Sequence, residues 1–90
     1  MWTVVEERAA TRTIDTLPRA TSEKYTAWLA IVREHGPQGL RAIKGFHDEK
    51  LSGKLAHLRS SRLSLQWRVI YRADADVVTV TVERITPHKY

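Results

Sequence analysis

The sequence predicts an α+β domain in which an N-terminal strand and a two-helix hairpin pack on a twisted antiparallel sheet. Two observations predict this fold. Helical periodicity dominates the chain up to residue 35, and from about residue 54 onward β-rich runs alternate with short turns. Because the 90 residues have the length of one domain, we expect a single domain over residues 1–90.

The N-terminal part is predicted to contain one strand and two helices. Residues 2–5 form a short β-rich run, and the helical segment after it is expected to stop at Pro18. Thr21 or Ser22 is the expected N-cap of the second helix, which Gly36 ends. The apolar residues of this helix follow a helical spacing: Tyr25, Trp28, Leu29 and Val32.

The C-terminal part is predicted to be an antiparallel meander. Residues 37–53 favour a turn or short 3₁₀ piece and an exposed loop, and strands are expected at 55–61, 66–73 and 77–85. In the middle strand, alternation places Trp67, Val69 and Tyr71 on the face that the helices cover. Arg68 is therefore expected on the open face. Residues 55–61 do not alternate regularly between apolar and polar, so the sequence does not predict on which face Arg59 and Arg62 lie.

Positive charge is concentrated in the middle of the chain. Residues 40–72 contain eight basic and two acidic side chains, and this excess of basic residues accounts for the net charge of +5. A basic sheet favours an anionic partner such as nucleic acid, and a solvated sheet face is the alternative. The basic residues predicted to contact RNA are Lys44, Lys50, Lys54, Arg59 and Arg72.

The composition argues against several classes of protein. There is no cysteine, and neither paired carboxylates nor clustered histidines suggest a metal site, so we expect no metal and no cofactor. The chain has no apolar run long enough to span a membrane and no signal peptide at its start. We therefore expect a cytoplasmic protein without a membrane partner.

The sequence also contains the residue types needed to cut RNA without a metal. The reaction requires a base for the 2′-hydroxyl, cations at the phosphate and an acid for the leaving 5′-oxygen. The candidates are Glu49 or Asp48 as the base, Arg62 and Arg68 as the phosphate clamp, His88 as the acid, and Tyr90 or Trp67 as a ring that stacks on a base. For the last residues, which include His88, a polar tail without a catalytic role is the alternative interpretation.

The run LSGKLAHLRSSRLSLQWRVIY at 51–71, with the C-terminal His and Tyr, resembles the bacterial toxins of the RelE/ParE superfamily, most closely the YoeB and HigB branches. The resemblance covers nearly the whole chain. It implies the following catalytic residues: Glu49, Arg62, Arg68, His88 and Tyr90. Two features depart from the family pattern: Ser52 stands where a lysine is common, and Lys89 separates the terminal His and Tyr.

The resemblance implies the toxin of a type II toxin–antitoxin system. Its activity would be that of a metal-independent endoribonuclease, an mRNA interferase that cuts messenger RNA on the ribosome and arrests growth. Its controlling partner would be a cognate acidic antitoxin, within a homodimer or a toxin–antitoxin hetero-oligomer. The alternatives are a ParE-like inhibitor of DNA gyrase without nuclease activity, and a plain RNA-binding domain.

Overall fold

The computed structural model of the chain describes residues 1–87. Their elements follow the predicted order of a strand, helices and an antiparallel meander. In chain order they are β1 (Thr3–Glu6), α1 (Arg8–Ile14), α2 (Arg19–His35), α3 (Pro37–Arg41), β2 (Glu49–Lys50), β3 (Arg59–Arg62), β4 (Arg68–Asp74) and β5 (Thr79–Thr86), with single 3₁₀ turns at Lys44–Phe46, Gly53–Leu55 and Ala75–Val77.

One five-stranded sheet organises the domain. Its strand order is β1-β5-β4-β3-β2, with β1 parallel to β5 and every other neighbouring pair antiparallel. The α+β fold class predicted from the sequence is thereby confirmed. Within residues 1–87, no helix is long and apolar enough to cross a membrane.

The boundaries of α2 differ from the prediction at its start. The helix begins at Arg19, directly after Pro18, whereas Thr21 and Ser22 had been expected to cap it. Pro18 is the N-cap residue, with an extended ψ of 148°, and its carbonyl accepts the first hydrogen bond of the helix from the N–H of Ser22 at 2.9 Å. Thr21 is instead buried inside the helix, and the predicted end at Gly36 is confirmed.

The segment between the helices and the meander is more ordered than the sequence suggested. Residues 37–53 include α3, with Pro37 at its first position, and the short edge strand β2. The strand predicted at 55–61 begins only at Arg59, because Gly53 has a positive φ of 62° and starts a 3₁₀ turn there. The short 3₁₀ piece expected within residues 37–53 is found at Lys44–Phe46.

The core lies between the sheet and the helices. Trp28 of α2 stacks on Tyr25 and meets the edge of Tyr71 from β4, with ring centroids 5.7 and 5.4 Å apart. Val80 and Val82 of β5 are fully buried against them. These contacts confirm that the helices cover the face to which Val69 and Tyr71 belong.

A β-bulge changes the alternation along β5. Tyr71 pairs with Val82 whereas its neighbour Ile70 pairs with Arg84, so Glu83 is an extra residue that is opposite no residue of β4. The bulge lets Ile85 join the core although simple alternation from Val82 would place it on the other face.

Buried tyrosines make the stability of the domain sensitive to alkaline pH. Burial, and then the hydrogen bond to the Glu6 carboxylate, raise the pKa of Tyr25 above its usual value. Below pH ~10 both the folded and the unfolded chain keep this proton, and at higher pH the unfolded chain loses it first. The free energy of unfolding should therefore fall as pH rises, with Tyr25 contributing about 1.4 kcal/mol per pH unit.

Denaturant titrations between neutral and alkaline pH test this expectation. Tyr25→Phe should be less stable than the wild type at neutral pH, because the hydrogen bond is lost, but should lose stability less steeply above pH ~10. Equal slopes for the two proteins would contradict the assignment.

Gly36 is required by both its backbone and its surroundings. Its φ is +74°, and a Cβ there would lie 2.4 Å from Nε1 of Trp2. Gly53 is the comparison, since it also has a positive φ, of +62°, but a Cβ would meet nothing within 4 Å. We expect Gly53→Ala to cost about 1–2 kcal/mol from backbone strain alone, and Gly36→Ala about 2–5 kcal/mol in urea denaturation. Equal costs would show that Trp2 moves aside.

Candidate active site

The open face of the sheet carries two arginines side by side. Arg62 ends β3 and Arg68 begins β4, and the two residues are directly opposite in the register. Tyr71, three residues after Arg68, contacts Trp28 of α2, so alternation along β4 places Arg68 and its opposite residue Arg62 on the open face, as predicted for Arg68. Within residues 1–87 neither arginine forms an ion pair.

The paired arginines have an electrostatic cost in the free protein. Like charges directly opposite on neighbouring strands destabilise a sheet. In addition, Nε of Arg62 is buried and has no hydrogen-bond partner among the described residues. A bound anion would offset the repulsion, because guanidinium groups bind phosphate oxygens through two parallel hydrogen bonds.

Glu49 lies on the same face as the arginine pair. It is opposite Ser60 in the register, and Ser60 is two residues before Arg62 on β3. The Cα atoms of Glu49 and Arg62 are therefore about 8 Å apart, given strand and residue spacings of about 4.8 and 6.7 Å. Glu49 is exposed and lines a small polar pocket of about 260 Å³ together with Ser52.

The side chain of Asp48 is buried, and both oxygens of its carboxylate have partners. It accepts hydrogen bonds from the hydroxyls of Ser61 and Tyr71, at 2.6 and 2.5 Å, and pairs with the guanidinium of Arg59 at 2.7 and 2.8 Å. Its side chain has no exposed surface. Burial, and then the charge of Asp48, raise the pKa of Tyr71. Of the two candidate bases, Glu49 is therefore the accessible one, and Asp48 has a structural role.

Arg59 lies on the other face from Arg62. It is opposite Tyr71 in the register, on the core side of the sheet, and its charge is paired with Asp48. Burial lowers the pKa of Arg59, but the hydrogen bond and charge of Asp48 raise it by more. Arg59 therefore does not belong to the cationic surface of the open face, although it was predicted to contact RNA.

Arg72 is on the open face but is neutralised by neighbours. It donates hydrogen bonds to the carboxylates of Glu7 and Glu83, and the bond to Glu83 is the main cause of its raised pKa. The open face thus has a cationic end at Arg62 and Arg68 and a neutralised end at Arg72. We leave Arg72 out of the proposed surface for this reason.

The remaining predicted residues are at the periphery or beyond the described chain. Lys44, Lys50 and Lys54 are exposed, and none forms an ion pair within residues 1–87. His88 and Tyr90, predicted as acid and aromatic companion, lie outside the described residues. Across residues 1–87, no group of three or more His, Cys, Asp or Glu could hold a metal ion.

Two residues of the open face were not predicted from the sequence. Thr86 of β5 is opposite Arg68, and Arg84 is opposite Ile70 in the row that also contains Ser60 and Glu49. The bulge at Glu83 sets this register, and nothing in the apolar pattern of the last strand locates that bulge. The sequence signal for this part of the face was a basic residue, Arg84, in the valine-rich last strand.

Comparison with solved structures identifies the architecture. The chain aligns with the RelE–RelB complex from Pyrococcus horikoshii at a TM-score of 0.75 and 20% identity, over 96% of this chain and 93% of that one. The chain has the RelE/ParE toxin fold. It is also similar to the YoeB/ParE toxin from Agrobacterium tumefaciens, with a TM-score of 0.77, 16% identity, and 97% and 99% of the two chains covered.

A third neighbour with the RelE/ParE fold is the YoeB dimer from Staphylococcus aureus. It aligns at a TM-score of 0.77 and 17% identity, over 99% of this chain and 98% of that one. No family model matches the chain, and no curated protein matches it in sequence. The resemblance predicted from the residues is thus confirmed at the level of the fold.

Proposed function

We propose that this protein is the toxin of a type II toxin–antitoxin system and acts as a metal-independent endoribonuclease on messenger RNA. The observation that carries the proposal is the Arg62–Arg68 couple, which has no ion-pair partner among residues 1–87, with Glu49 beside it on the open face. A structural salt-bridge network would place carboxylates against these arginines, as happens at Arg59 and Arg72 on the same sheet. The contrast supports a site that is kept free for an anionic substrate.

The proposed reaction is an attack by the RNA itself. Glu49 takes the proton of a 2′-hydroxyl, and the 2′-oxygen bonds to the adjacent phosphorus as the bond to the 5′-oxygen breaks. Arg62 and Arg68 stabilise the charge that builds on the phosphate. His88 donates a proton to the leaving 5′-oxygen, with Tyr90 beside it in the sequence pattern. The products are a cyclic phosphate and a 5′-hydroxyl end.

The surroundings of the arginine pair fit a single-stranded RNA. Lys54 lies close in sequence to Glu49 and is exposed, whereas Glu7 and Glu83 neutralise the opposite end of the face. Lys50 is opposite Arg59 in the register and therefore belongs to the other face. RNA is therefore expected to follow the cationic end. By analogy with the RelE–RelB complex, we propose that an acidic antitoxin covers this surface, and that the substrate is messenger RNA on cytoplasmic ribosomes.

Induced expression followed by primer extension on an abundant transcript tests the proposal. Wild-type protein should produce new 5′ ends within translated codons. Arg68→Ala should greatly reduce these ends while remaining folded, because the side chain lies on the open face outside the core. Intact transcripts with damaged DNA would instead favour the gyrase-inhibitor alternative and contradict the proposal.

A further inference from the structure

A second cationic feature lies beside the arginine pair, where α1 packs against β5. A pocket of about 460 Å³ is lined there by Arg12 and Thr13 of α1, by Trp67, and by residues 84–87. β1 pairs with β5 only at residues 79–82, so residues 84–86 of β5 pair with β4 on one side and have no strand beside them on the β1 side.

The lining combines two free cations with an aromatic ring. Arg12 and Arg84 are both exposed, and within residues 1–87 neither forms an ion pair. Trp67 is half-buried against the core, and its backbone is fixed by a hydrogen bond from its N–H to Oγ of Ser64 and by one that its carbonyl accepts from Leu63. Guanidinium groups bind phosphate, and an aromatic ring of fixed position stacks on unpaired bases.

The pocket adjoins the candidate active site at Thr86. Thr86, one of its walls, is opposite Arg68 in the register, and Arg68 is opposite Arg62. Arg62, Arg68 and Thr86 thus occupy consecutive strands, spaced about 4.8 Å apart. A chain whose phosphate sits on the arginine pair reaches the pocket by continuing across β5, away from Glu49.

We infer that this pocket binds a nucleotide that flanks the cleaved one, with its phosphate between Arg12 and Arg84 and its base against Trp67. The inference rests on the proposed RNA-cleaving function. It adds an anchoring subsite on the side of the arginine pair away from Glu49, the proposed general base. Single-stranded RNA fits the pocket, since a phosphate can bind two cations that line the same pocket and the ring accepts any base.

Binding of RNA to the full chain tests this subsite. The probes are fluorescently labelled, fully 2′-O-methylated oligonucleotides of stepwise increasing length, which resist attack by the 2′-oxygen. Wild-type protein should gain affinity at the length that first reaches the pocket. Arg12→Ala/Arg84→Ala should lose that gain, and its log–log salt slope should be smaller by about 0.7, the value for one single-strand phosphate.

Two further variants separate the possible outcomes. Arg33→Ala removes an exposed α2 arginine that does not line the pocket, and it should bind as the wild type does. Arg62→Ala/Arg68→Ala should weaken binding at every length. If this last variant binds normally, the proposed function fails. If it loses binding while Arg12→Ala/Arg84→Ala matches the wild type at all lengths, the subsite alone is overturned.

Photo-crosslinking gives an independent readout of the same subsite. A probe carrying one 4-thiouridine at successive positions should crosslink to the peptide that contains Trp67, or to residues 84–87, from one flanking position only. Crosslinks from every position, or none from a probe that binds normally, would contradict the inference.

Discussion

Glu49→Gln is expected to slow single-turnover cleavage of messenger RNA by about 10²–10⁴-fold, the usual contribution of a general base. The amide keeps the shape of the side chain but does not accept the proton of the 2′-hydroxyl. Because Glu49 is exposed on a two-residue edge strand, the fold should be unaffected. Ribosome or RNA binding should be nearly retained, since the arginine pair is intact.

A matched control for this substitution is Glu34→Gln. Glu34 is exposed on α2, in the helix layer, and the exchange is chemically the same. It should cleave at the wild-type rate. If Glu49→Gln cleaves at the wild-type rate, Glu49 is not the general base, and catalysis depends on positioning and charge alone.

Asp48→Ala is expected to destabilise the domain by about 3–5 kcal/mol, a large share of the stability of a domain this size. The substitution leaves Arg59, whose side chain is only 20% exposed, without its counter-ion. It also removes the acceptor of the Ser61 and Tyr71 hydroxyls. Urea denaturation followed by circular dichroism measures the loss.

Two controls isolate the cause of this effect. Asp15→Ala, at an exposed aspartate after α1, should change stability by less than about 0.5 kcal/mol. Asp48→Ala/Arg59→Met should recover much of the loss, because replacing both partners of a buried pair removes the unpaired charge. If the double variant is as unstable as the single one, the hydroxyl contacts dominate instead. If Asp48→Ala is stable but does not cleave RNA, Asp48 is again a candidate for the general base.

The parts of the fold that depend on local pattern were predictable from the sequence. The periodicity of Tyr25, Trp28 and Val32 identified α2, and the alternation around Val69 and Tyr71 identified the covered face of β4. These signals are strong because each depends on one element packing against one core. The resemblance to a toxin family pointed to the same order of elements.

The rest depended on contacts between distant segments. The pairing of β2 with β3 brings Glu49 to the open face, and two residues are too few to give a periodic signal. The partners of Asp48 are distributed over residues 59, 61 and 71, so its burial could not be read from the surrounding GFHDEK run. Likewise, the neutralisation of Arg72 requires Glu7, which is far away in the sequence.

The salt dependence of RNA binding tests the central claim, that the Arg62–Arg68 couple is the phosphate site. Arg72→Ala is the internal control, because Arg72 is on the same strand and face as Arg68 but is paired with two carboxylates. The log–log slope should be smaller by about 0.7 in Arg62→Ala and in Arg68→Ala, and unchanged in Arg72→Ala. Equal slopes in all four proteins, wild type included, would contradict the account.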